Sequence, residues 1–163
     1  MKNVIITMFC LLLSMTAAGQ TVTKTSHKKA VKTDVVTTGT LTIRKPDYIC
    51  ISTDGDKDQL IMEGTKFTMT MGGKKHVTDS RKNPQFATFQ SVLTAVINRQ
   101  DVTPGNDISM TTRNGLKIIT ITPAAKKRQL FTSFELTIDA KSSAFRSLRM
   151  NGRGEDYTEY TFK

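Results

Sequence analysis

The sequence predicts a mainly β protein with one or two helices, its strands joined in an antiparallel sheet. Two observations carry this. From residue 35 to the end, short runs rich in Thr, Ile, Val, Phe and Tyr alternate with turns containing Gly, Asp and Asn. A single stretch, 84–97, instead repeats its apolar residues at spacings of three and four. About ten strands against one clear helix make a sheet too large to lie flat on one side of that helix. Such a sheet must curl, and the inside of the curl can stay open as a cavity.

The chain begins with Lys2, an apolar run over 4–15 broken only by Thr7 and Ser14, and the small residues Thr16, Ala17, Ala18 and Gly19. That order predicts a secretory signal peptide over 1–19, cleaved near Gly19. The apolar run is short of the ~20 residues that a membrane-spanning helix needs. Cys10 lies inside the run rather than after small residues at its end, which argues against lipid attachment. The exported part, 20–163, is expected to be a soluble periplasmic domain able to bury a core without metal or disulfide. Within it Cys50 has no cysteine to pair with and is expected to be a small buried residue.

The formal net charge is +10. Lys24, Lys28, Lys29 and Lys32 lie close together in a Thr- and Lys-rich stretch without apolar period, so 20–34 is expected to be a flexible basic arm. Such an arm would be drawn to an anionic membrane surface. Export removes nucleic acid as the partner that a basic chain otherwise suggests.

The elements follow in order. A first strand is predicted over 35–44, with Leu41 and Ile43 on one face and Thr40, Thr42 and Arg44 on the other. Pro46 and Asp47 bend the chain into strands over 48–52, 59–63, 66–71 and 74–78. Turns separate these at 53–56, 64–65 and Gly72-Gly73. Asn83 is a good N-cap and Pro84 fits the first helical position, so a helix starts there. Phe86, Phe89, Leu93, Val96 and Ile97 form its apolar stripe. Strands resume over 108–112 and 116–122 around Asn114-Gly115, the strongest hairpin signal in the chain. A basic loop over 123–129 leads to strands over 130–138, 144–150 and 156–162. In the first of these, Phe134, Leu136 and Ile138 alternate with polar residues.

The pattern is poor in catalytic groups. His27 falls in the basic arm, and His76 lies beside Lys74 and Lys75 with no partner at a recognisable spacing. Neither a Cys nor a Ser nucleophile has a base beside it. Asp54-Gly55-Asp56-Lys57-Asp58 resembles the start of a calcium loop, but Gln59 and Thr65 stand where that loop needs Gly and Glu. It reads as a turn. No catalytic residue, metal or cofactor is expected, and the chain is read as a non-enzyme. What stands out is methionine: Met62, Met69, Met71, Met110 and Met150 all fall on predicted strands. Methionine adapts its shape to variable apolar partners, though it also fills ordinary cores.

The run Gly39-Thr40-Leu41-Thr42-Ile43-Arg44-Lys45-Pro46-Asp47 resembles the periplasmic outer-membrane lipoprotein carriers (LolA-like). So do 59–67, the helix start Asn83-Pro84-Gln85-Phe86, and the stretches 119–123, 131–139 and 145–150. The resemblance spans 35–163 and keeps element order. It implies an unclosed half-barrel with a helical lid, shared with LolB- and RseB-type proteins, whose apolar interior shields lipoprotein acyl chains. It also implies two partners, an inner-membrane extraction machinery and an outer-membrane acceptor. The sequence departs from the family in two ways. The polar 20–34 stands where a long helix precedes the first strand, and the chain stops at Lys163 without the family's extension. Lys45 matches an arginine that helps hold the family's lid shut, which makes Lys45 the implied lid latch.

The expected function is therefore a monomeric carrier of lipoprotein or other lipid acyl chains, held between the sheet and the helix. Its cavity residues are expected to be Leu41, Ile43, Leu60, Met62, Phe67, Met69, Met71, Phe86, Phe89, Leu93, Val96, Phe134, Leu136 and Leu148. The alternative is a lipid-binding or sensing module of the same fold that shuttles nothing.

Overall fold

The computed structural model describes residues 19–124 and 129–163. The expected signal peptide lies outside the described residues but for Gly19, and part of the expected basic loop lies outside them too. Six strands precede the helix: β1 Gln20–Lys28, β2 Val31–Arg44, β3 Tyr48–Thr53, β4 Asp58–Glu63, β5 Lys66–Met71 and β6 Lys74–Asp79. After α1 Pro84–Ile97 come β7 Ile108–Arg113, β8 Leu116–Ile121, β9 Ser133–Asp139, β10 Phe145–Asn151 and β11 Tyr157–Phe162. All eleven join one antiparallel sheet in the order β6-β5-β4-β3-β2-β1-β11-β10-β9-β8-β7. Two meanders, β1–β6 and β7–β11, meet where β1 pairs with β11.

Residues 20–34 are not an arm. They form β1, the β1–β2 turn and the start of β2, and β1 sits mid-sheet between β2 and β11. Its stability comes from main-chain hydrogen bonds on both sides, so it needs few apolar side chains. Thr21, Thr23 and Thr25 do alternate along it, a period-two run of a β-favouring residue that a reading of polarity alone passes over. Lys24, expected to be available to a membrane surface, is buried inside the curl.

The curl follows from two contacts. Phe89 of α1 touches Phe67 of β5 at 5.7 Å between ring centroids and Phe134 of β9 at 4.3 Å. In a flat sheet β5 and β9 would stand seven strand spacings apart, about 34 Å at ~4.8 Å each. Both therefore lie within one side chain of the helix, and the sheet wraps around it. Edges β6 and β7 do not pair, so the barrel stays unclosed. α1 links these two edge strands and packs on the concave side, against Phe67 and Phe134. The curved antiparallel half-barrel with a helix across it is the fold class that the sequence predicts.

Alternation sorts the faces. In β9, Phe134, Leu136 and Ile138 are buried and the residues between them are half-exposed. Ile49 and Ile51 point inward from β3, whereas Cys50, between them, is half-exposed on the convex side rather than buried. Burial still pushes the Cys50 thiol pKa up, which disfavours the thiolate. Asn114 and Gly115 both have positive φ, 52° and 75°, the geometry of a type I′ hairpin turn.

Gly39 sits where β2 and β3 leave no space for a side chain. A Cβ there would lie 1.8 Å from the carbonyl oxygen of Ser52. Gly39→Ala should force β2 and β3 apart and cost about 1–3 kcal/mol. A chemical melt showing no loss would contradict this packing.

Candidate functional site

Asn83 caps α1: its side chain accepts a hydrogen bond from the Gln85 amide, and Pro84 follows at the start. The apolar stripe then meets the sheet. Phe86, Phe89, Leu93 and Val96 are buried against Leu41, Leu60, Met62, Phe67, Phe134, Leu136 and Leu148, with Ile43 partly buried at the margin. Phe89 stacks on Phe134 with planes 12° apart, and Phe67 stacks on Phe86 at 4.7 Å. Beneath the first turns of the helix, where open space was expected, phenylalanine rings pack on one another. Between these stacked rings there is no gap for a hydrocarbon chain.

Two polar side chains of the helix and its C-cap Asn98 reach the loops around it. The Gln85 amide donates to the Phe131 carbonyl at 3.0 Å, the Gln90 amide to the Gly64 carbonyl, and the Asn98 amide to the Pro46 carbonyl at 2.7 Å. The apolar period gave no hint of this role, since Gln85, Gln90 and Asn98 lie outside the stripe. Lys45, the implied lid latch, is exposed. At that corner the contact with the helix is made by its neighbour Pro46 and by Asn98.

Open volume exists beside this packed layer, at the mouth of the curl. A cleft of about 480 Å³ has Met69, Met71, Leu130, Phe131 and Met150 as its apolar wall. Lys28, Gln129, Gly152, Arg153, Asp156, Tyr157 and Thr158 complete the lining. The cleft lies between β5 on one side and β10, β11 and the segment before β9 on the other. Its volume falls in the ~300–1,000 Å³ range of small-molecule sites. Of the expected cavity residues, Met69 and Met71 line it and the other twelve do not. Met150 joins them, so three of the five strand methionines meet here. Leu130 and Phe131, expected to open the strand over 130–138, precede β9 instead, and neither was among the expected cavity residues.

The rim is a charged network. Lys28 Nζ lies 3.1 Å from Asp156, the Lys29 amide donates to Asp156 at 2.8 Å, and Lys29 Nζ is 3.3 Å from Glu155. These contacts, the Lys29 amide first and Lys28 second, hold the Asp156 carboxyl below its ordinary pKa. They tie the β1–β2 turn to the β10–β11 turn. His27 stacks on Tyr157 at 5.0 Å and lies 2.6 Å from Asp34.

A second polar group lies inside the curl. Lys24 Nζ meets Asp58 Oδ2 at 2.5 Å, and Asp58 also accepts the Gly72 amide at 2.9 Å. Tyr160 and Thr37 flank Lys24 on β11 and β2. Burial first, and the Asp58 charge second, push the Tyr160 hydroxyl pKa up. Asp58, read from sequence as part of a turn, is thus an interior anion. Among the described residues no cluster of three or more His, Cys, Asp or Glu is placed to hold a metal. No described helix is long and apolar enough to cross a membrane.

The crystal structure of a LolA superfamily protein from Nitrosomonas europaea is similar to this chain at 5% identity and a TM-score of 0.35. The match covers 89% of this chain and 83% of that one. LprF from Mycobacterium bovis is similar at 9% identity and a TM-score of 0.33, with the same coverage. No curated protein matches the sequence. Residues 16–163 match the family described as outer membrane lipoprotein carrier protein LolA. That match covers every described element, and the chain belongs to the LolA family.

Proposed function

We propose that this protein is a non-catalytic periplasmic carrier that takes lipoprotein acyl chains, or those of another lipid, into the cleft at the mouth of its half-barrel. Family membership supports lipoproteins as the cargo. The observation that carries the reading is the methionine-walled cleft beside a packed core. An acyl chain loses about 0.8 kcal/mol of stabilisation per CH₂ exposed to water. Met69, Met71 and Met150 offer a deformable apolar wall in exchange. In this reading the protein is exported by cleavage near Gly19 and acts as a monomer. It receives cargo from an inner-membrane extraction machinery and passes it to an outer-membrane acceptor. Lys28, Lys29 and Lys32 face the anionic membrane surface.

One observation favours the second reading, a lipid-binding or sensing module that shuttles nothing. The helix is packed on phenylalanine and pinned by Gln85, Gln90 and Asn98, which suits a fixed cover better than a moving lid. Native mass spectrometry of residues 20–163 tests binding. Lipid adducts are expected in the wild type and should be lost in Met71→Glu, an exposed position of the cleft wall, that still unfolds cooperatively. Equal adducts in both would refute the cleft as the site. Transfer of an acylated peptide between two vesicle populations then separates the readings: a carrier speeds it, a sensor does not.

A further inference from the structure

The same mouth carries a surface feature that ligand binding does not require. Six large apolar side chains stand exposed among the described residues: Val31, Val35, Val36, Met71, Val77 and Leu130. Met71 and Leu130 line the cleft. The first three valines lie on the β1–β2 hairpin, whose Lys28 also lines it. Only Val77, on β6, is elsewhere. The hairpin projects: β3 pairs with β2 only from Gly39 to Arg44, so 31–38 of β2 has no strand on that side. A register shift interrupts the β1–β2 ladder between Ser26 and Lys28.

Positive charge accompanies the apolar residues. Lys28, Lys29 and Lys32 lie on the hairpin, Lys74 pairs across from Met71, and Arg153 lines the cleft. They outnumber Asp34, Glu155 and Asp156 nearby. Exposed aliphatic side chains ringed by lysine are the pattern of a surface that enters the headgroup region of an anionic bilayer.

We propose that the chain docks mouth-first on an anionic phospholipid bilayer, with the β1–β2 hairpin and Leu130 entering the headgroup layer. The proposal rests on the acyl-carrier reading only for its purpose. A mouth held against the bilayer lets a chain pass from membrane to cleft without crossing water.

The sequence contains no tryptophan, so a single one reports unambiguously. Val35→Trp and Leu130→Trp versions of residues 20–163 should both shift their emission to the blue on vesicles of phosphatidylglycerol. Brominated acyl chains should quench both. Vesicles of phosphatidylcholine alone, or added salt, should weaken the effect. Val31→Asp/Val35→Asp should reduce vesicle partitioning about tenfold or more, roughly 1.4 kcal/mol. Its uptake of a soluble fluorescent fatty acid should stay unchanged, since neither valine lines the cleft. Lys32→Glu at an exposed site provides a milder second variant, expected to weaken binding to the anionic vesicles only. Emission unchanged on anionic vesicles, or valine variants that partition like the wild type, would overturn the docking. So would an effect of the valine changes on self-association alone. Loss of fatty-acid uptake in the wild type would instead sink the carrier reading and leave the docking result standing.

Discussion

Phe89→Ala should lower the free energy of unfolding by about 3–5 kcal/mol, the range for removing a fully buried phenylalanine. Phe89 has no solvent exposure. It bridges the two walls of the curl, stacking on Phe134 from β9 and meeting Phe67 of β5 edge-on at 63°. Its removal opens a void where the helix holds both walls at once, so collapse from one side cannot fill it. Phe134→Ala should cost a similar amount. The double variant should fall short of the sum by about 0.5–1.5 kcal/mol, the direct worth of a stacked aromatic pair. Urea melts of the three variants measure this. A loss below about 1 kcal/mol for Phe89→Ala would mean that the layer under the helix is loose, and hydrocarbon could then enter there after all.

Lys24→Met should be nearly as damaging, at about 3–5 kcal/mol, because it strands the Asp58 carboxylate inside the curl. Lys24→Met/Asp58→Leu should recover most of the loss, since an apolar pair of similar size replaces two desolvated charges. The pair also sets a pH dependence. Burial alone would raise the Asp58 pKa, but the hydrogen bonds from Lys24 and the Gly72 amide outweigh it and hold the value below the ordinary range. A carboxyl whose folded pKa is depressed adds stability above its unfolded value of about 3.9, and that stability is lost as pH falls through the folded value. Between pH 7 and pH 5 the contribution should be constant. Below about pH 4 it should decline in the wild type, and less steeply in the double variant. Identical acid limbs for the two proteins would show that the pair is not formed.

Much of this architecture was legible in the chain. Phe134-Glu135-Leu136-Thr137-Ile138 announces a half-buried strand, and Asn83-Pro84 announces the start of a helix. In both cases the deciding contacts lie within a few residues. Asn114-Gly115 is legible for the same reason, because a type I′ turn is a property of two consecutive residues. The strands from β3 to β8 accordingly start and stop within a residue of where alternation and turns put them. β1 was not legible, because its partners β11 and β2 supply the hydrogen bonds and its own side chains carry little apolar signal.

The candidate site divides the same way. Composition pointed to the methionines, and Met69, Met71 and Met150 do converge on one cleft, with Met71 exposed at its mouth and Met69 and Met150 buried behind it, but nothing local foretold that convergence. Leu60 and Met71 lie on neighbouring strands and face the same interior, yet only the second reaches open space. Alternation assigns a residue to the concave face; the tightness of the curl decides whether another wall covers it. By itself the sequence determined the strands around one helix, the turns between them and the face each side chain takes, because these depend on neighbours along the chain. The wrapped sheet alone decided where volume remained, and that Lys24 would meet Asp58, 34 positions away. Such outcomes depend on how distant strands pack, which no local pattern encodes.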